Sequence, residues 1–80
     1  MKLVDYLADE FMKENSIDLR KDKLSLQRLT EAAKIALEKL QQEMRTEVHL
    51  PFISVSRARP LHLKVMLVRA KLERMIDELQ

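Results

Sequence analysis

The sequence predicts an α+β domain: two helices, an antiparallel β-hairpin or small sheet, then a C-terminal helix. Three observations carry this. Apolar residues recur at helical spacing through the first half of the chain. Between Thr46 and Val68 the period drops to two, with β-formers in majority. Helical spacing then returns from Arg69 onward. Helices packed on one face of a small antiparallel sheet satisfy all three. With 80 residues, one domain over residues 1–80 is the natural organisation. Its core is modest, because so small a chain buries only about 60% of its unfolded surface.

The first helix spans Leu3 to Glu14. Leu3, Val4, Leu7, Ala8 and Phe11 form its apolar stripe, with Asp5, Asp9 and Glu10 between them. The stretch ENSIDLRKD is a polar connection with turn-forming residues. The second helix runs from about Leu24 to Arg45. Its expected stripe is Leu26, Leu29, Ala33, Ala36, Leu37, Leu40 and Met44. Lys34 with Glu38, and Glu38 with Gln42, fall on the solvated side, where an opposite-charge pair contributes a few tenths of a kcal/mol (~0.3) at best.

TEVHLPFISV reads as a strand, and Pro51 within it suits an edge or a bulge. SRAR is the expected turn. LHLKVMLV places Leu61, Leu63, Val65 and Leu67 on one face and His62, Lys64, Met66 and Val68 on the other. The last helix, RAKLERMIDELQ, is expected to turn Ala70, Leu72, Met75, Ile76 and Leu79 inward.

Composition excludes several classes. Hydrophobic residues make up 46%, too many for a disordered tail. The net charge of +2 is too small for a dedicated nucleic-acid binder. Cysteine is absent, so disulfides and thiolate metal sites are excluded. The apolar runs are too short for a membrane span, and the start is not a signal peptide. A cytoplasmic location, or recombinant expression, is the default. Glycine is also absent. No turn therefore has a residue that enters positive φ without cost, and helix C-caps fall to residues such as Asn15 or Asp22.

LVDYLADEF, IDLRKDKLSLQRLTEAA, TEVHLPFI and RAKLE, in this order and spacing, resemble the DnaK-type heat-shock chaperones. The similarity runs without a gap from about Leu3 to Leu79. It matches one peripheral lobe, subdomain IIB, of that family's ATPase domain, and its implied fold agrees with the periodicity above. The resemblance implies a part in ATP binding and in docking nucleotide-exchange factors. The family's adenosine-facing acid, lysine, following residue and serine fall at Lys34, Leu37, Glu38 and Gln41 here. None of those side chains is kept, so no cofactor is expected. The family's phosphate loops and magnesium ligands lie in other lobes, so no catalytic residue is expected either. Two family glycines fall at Ser16 and Arg59. QQEM prolongs the helical pattern where the family helix ends in serines, which resembles a helix idealised by a designer.

The leading expectation is therefore a non-enzymatic protein-binding module, an engineered binder or inhibitor on a chaperone-lobe scaffold. A natural chaperone fragment and a ligand-free redesign are the alternatives. Ile35, Val55, Leu61, Met66 and Val68, edged by Arg57, Arg59 and Lys64, are the candidate partner surface. Aliphatic anchors with an arginine rim suit a protein interface. The partner is a target protein, or a second copy of the chain; nucleic acid and membrane are not expected. His49 and His62 lack metal-ligand spacing and read as surface histidines. Asp5, Asp9 and Glu10 read as a solvated charged face.

Overall fold

A computed structural model of the chain describes residues 2–78, with side chains described through Arg74. Two helices come first, α1 (Lys2–Asn15) and α2 (Lys23–Gln42), joined by a link holding a 3-10 turn at Leu19–Lys21. A hairpin follows, β1 (Arg45–Ser56) and β2 (Arg59–Val68), and then α3 (Arg69–Glu78). The strands form a two-stranded antiparallel sheet. The fold is α+β, as the change of period predicts.

α1 forms because its five apolar residues share one stripe. Leu3, Val4, Leu7, Ala8 and Phe11 are all buried. Leu7 and Phe11 each exclude solvent almost wholly; full burial of such a side chain stabilises the fold by about 1.5–3 kcal/mol. α2 meets them with Leu29, Ala33, Ala36 and Leu40. Two alanines in this seam let the helices and sheet approach closely. The sheet closes the core with Val48, Ile53, Leu63 and Leu67.

Several sequence expectations are corrected here. α2 stops at Gln42, not Arg45. Arg45 instead pairs with Val68 in the ladder, and Met44 lies exposed outside the helix. The stop is made by α3: Arg69 donates through Nε to the Leu40 carbonyl at 2.6 Å and through Nη2 to the Glu43 carbonyl at 3.0 Å. A cation on the last carbonyls suits the negative helix end. Leu26 is exposed rather than buried, and Leu37 is only partly covered. Both lie to one flank of the stripe that Leu29, Ala33, Ala36 and Leu40 define. Ser25 is buried in the first turn instead. Ala70 is exposed and Leu72 packs against the core; Met75, Ile76 and Leu79 lie outside the described side chains. The pair Lys34 with Glu38 is not among the ion pairs of the described residues, which are Lys13–Glu10 and three made by Arg20.

Lacking glycine, the chain uses other residues at positive φ: Ser16 at 58°, Phe52 at 53°, Arg57 at 52° and Ala58 at 63°. Ser16 ends α1, its N–H donating to the Met12 carbonyl at 2.8 Å. Asn15 assists from the last helical position, its amide donating to the Phe11 carbonyl at 3.3 Å. Asp22 serves twice: its N–H donates to the Leu19 carbonyl at 3.3 Å and ends the 3-10 turn, and its side chain caps the start of α2, accepting from the Ser25 N–H at 3.1 Å. Arg57 and Ala58 form a two-residue turn closed by the pair Ser56–Arg59. Positive φ at both central residues is the hairpin geometry whose twist matches the strands. Of the two positions matched to family glycines, Ser16 takes left-handed backbone and Arg59 lies in β2.

Candidate functional site

Register decides what the hairpin presents. Thr46, Val48 and Leu50 pair with Leu67, Val65 and Leu63 on the inner face. Arg45, Glu47 and His49 pair with Val68, Met66 and Lys64 on the outer face. A bulge then intervenes: Leu50 faces Leu63, but the next pair is Ser54 with Leu61. Three residues of β1, Pro51 to Ile53, stand against His62 alone. A bulge at the proline is one of the two placements the sequence allows, since proline has no N–H for the ladder.

Within the bulge the alternation is reversed. Period two from Leu50 would send residue 52 inward. Instead Ile53 is buried, and Phe52 turns outward at 67% exposure. Beyond it, Val55 pairs with Pro60, again outside. The outer face thus carries Val55 at 65%, Met66 at 53% and Val68 at 40% exposure, besides Phe52. Arg45 and Lys64 share this face with the acid Glu47. Arg59 and Arg57 stand exposed at the turn end.

The bulge is held by named contacts. Arg28 on α2 donates to the Phe52 carbonyl at 3.1 Å and the Pro51 carbonyl at 2.9 Å. The Phe52 N–H donates to Nδ1 of His62 at 3.0 Å, and the two rings meet edge to face with centroids 5.0 Å apart. Underneath, the Ser25 hydroxyl reaches the Ile53 carbonyl at 3.0 Å.

Of the predicted partner surface, Val55, Met66 and Val68 share the outer face, Val55 toward the turn and the other two toward the open end of the ladder, and Arg57 and Arg59 lie at the turn. Leu61 does not belong to it. Paired with Ser54, it is partly buried against the core, on the inner face that alternation from Leu63 requires. Ile35 is exposed, as expected, at 53%, but elsewhere: it lines a shallow groove between α2 and β1 with Arg28, Glu31, Lys39 and residues 46–50. Phe52 was not foreseen; a Pro-Phe pair at a proline-induced bulge was the signal that could have found it.

The adenosine-matched positions share a flank of α2. Lys34, Glu38 and Gln41 are exposed there, and Leu37 is partly buried against the core. Spacings of three, one and three residues put them on one helical face, distinct from the flank bearing Ile35.

A second polar cluster ties the 3-10 turn to α1. Arg20 donates to Asp18 at 2.8 Å through Nε, to Asp5 at 3.0 Å through Nη1 and to Asp9 at 2.9 Å through Nη2. The Arg20 side-chain bond, with the backbone N–H of Arg20, holds the Asp18 carboxyl below its ordinary range. The bond to Asp18 in turn raises the Arg20 guanidinium. Asp5 and Asp9, read as a solvated face, are therefore partners of an arginine. Lys71 lies over Tyr6, Nζ donating to the hydroxyl at 2.7 Å, and that bond raises the lysine. Among the described residues no group of three or more His, Asp or Glu side chains is arranged to hold a metal ion. No described helix is long and apolar enough to cross a membrane.

Comparison with known protein families matches one described as Hsp70 protein over residues 1–80.

Proposed function

The chain belongs to the Hsp70 protein family, and on that premise we propose that it is a non-catalytic protein-docking lobe of an Hsp70-type chaperone. The observation that carries this reading is the uncovered outer face of the hairpin, with Phe52, Val55, Met66 and Val68 exposed on one surface. Phe52 and Val55 lie toward the turn and Met66 and Val68 toward the open end, with His62, His49 and Lys64 between them; large apolar side chains exposed at both ends of one face suit a partner's contact. Arg45 and Lys64 outnumber Glu47 on it, which favours a partner with an acidic rim and steers its approach.

The resemblance supplies the partner class, nucleotide-exchange factors, and the process, ATP-dependent protein folding. The lobe's own contribution to adenosine binding is reduced in this reading. A lysine, a leucine, a glutamate and a glutamine stand where the family presents an acid, a lysine, the following residue and a serine.

The test is calorimetric titration of the chain with an exchange factor of the family, and separately with ATP. Saturable one-to-one binding of the factor, lost in Met66→Glu, supports docking through this face. Micromolar ATP binding overturns the reading of α2. A second reading, capture or inhibition of a protein outside the family's own partners, is favoured by the replaced adenosine positions. It predicts that exchange factors leave the outer face untouched.

A further inference from the structure

The β1 bulge holds Phe52 at φ 53°, a region that bulky residues seldom visit. Its backbone is therefore held by what surrounds it. Arg28 takes the carbonyls of Pro51 and Phe52. The Phe52 N–H goes to Nδ1 of His62 at 3.0 Å, and the Phe52 ring rests against the same imidazole at an interplanar angle of 73°.

Only a ring nitrogen without a proton accepts a hydrogen bond. The bond into Nδ1 thus requires neutral imidazole with its proton on Nε2. The imidazolium carries protons on both nitrogens, so an Nδ1–H would face the Phe52 N–H. Donor would meet donor. Either the ring turns away or the amide leaves; in both cases the Phe52 N–H loses its acceptor.

We propose that His62 is a proton-operated latch on the bulge. Neutral, it fixes Phe52 by its backbone and seats its ring. Charged, it releases residues 51–53 and changes the shape of the hairpin's outer face. Imidazole suits the role because its Nδ1 is an acceptor in the neutral tautomer and a donor in the charged ring.

The groups facing His62 follow from the register. Lys64 shares its face on β2 and pairs with His49 across the ladder; Glu47, opposite Met66, lies one pair further on. On the other side stand Pro60 and Val55. From α2, Arg28 reaches the same bulge through its two carbonyl bonds. His49, exposed in the same ladder, provides an internal comparison.

The test is an NMR titration of the whole isotope-labelled chain from pH 8 to pH 5, reading ring nitrogens, the Phe52 amide and its hydrogen exchange. At pH 8, His62 is expected as the Nε2–H tautomer. The Phe52 amide shift should follow the titration of His62 and not that of His49. Its protection, corrected for the intrinsic rate, should fall at least tenfold by pH 5 while Leu63 and Leu67 keep theirs. In His62→Ala, a folded protein should show the low protection at every pH; the unsubstituted chain decides the matter if this variant does not fold. A Phe52 amide indifferent to His62, an Nδ1–H tautomer at pH 8, or protection lost equally across the whole ladder would each overturn the latch.

Discussion

Ser25, buried in the first turn of α2, donates its hydroxyl toward the carbonyl of Ile53 at 3.0 Å, across 28 residues of sequence. The same oxygen lies 2.7 Å from Oδ2 of Asp22. A hydroxyl has one proton, so the two acceptors share it. This joins the helix start to the residue at which β1 leaves its bulge. Ser25→Ala removes the hydroxyl bond to the buried Ile53 carbonyl and to Asp22, a loss of about 1–3 kcal/mol. Urea unfolding of the variant should show a lower midpoint with an unchanged slope.

Acid should weaken the fold through the caps. The Asp22 carboxyl is held below its ordinary value of 3.8, first by the Ser25 hydroxyl and then by the Ser25 N–H. Asp18 is lowered likewise, chiefly by Arg20. A folded pKa below the unfolded one contributes stability above the unfolded value, and that contribution disappears as pH falls through the folded value. Stability should therefore be flat from neutral pH down to about 5 in these terms, then fall below about 4. Asp22→Asn with Asp18→Asn should remove much of that acid slope in urea midpoints measured between pH 6 and pH 2.5.

The strained turn positions predict gains. Ser16 and Ala58 sit at φ 58° and 63°, where a residue with Cβ loses about 1 kcal/mol relative to glycine. Ser16→Gly and Ala58→Gly should each raise stability, by up to about 1 kcal/mol, partly offset by the greater entropy of the unfolded chain. Thermal melts read the sign directly, since glycine inside α2 would act the other way.

Arg69 is the end cap of α2, with bonds to Leu40 and Glu43 carbonyls. Arg69→Ala should cost about 1–2 kcal/mol and fray the last turn of α2. Hydrogen exchange at Gln41 and Gln42 should rise before that at Leu29. Arg69→Lys should restore only part, because one ammonium cannot reproduce the two-point fork.

Much of this fold was legible in the residues. The stripe of α1, the inner face of β2 and the bulge at Pro51 all follow from periodicity and from proline's missing N–H. What escaped was set by contacts distant in sequence. The end of α2 depends on Arg69, and helical propensity through QQEM gave no sign of it. Leu61 belongs to the inner face by its alternation with Leu63, and apolar character alone does not tell that face from the outer one. Phe52 lies where the bulge swaps the facing of residues 52 and 53 alone, since two extra residues restore the alternation by Ser54, and period two does not locate such a local swap. The Arg20 cluster needed the 3-10 turn to fold back onto α1, which a reading of ENSIDLRKD as a connection did not contain.

NMR tests docking at the outer hairpin face most directly. Methyl-labelled chain should be titrated with a family exchange factor and then with ATP, following Val55, Met66 and Val68 against Leu37 and Leu40. The account predicts that the factor shifts the three outer-face residues and that ATP shifts neither set. Movement of Leu37 on adding ATP, with Val55, Met66 and Val68 unmoved by the factor, would contradict it.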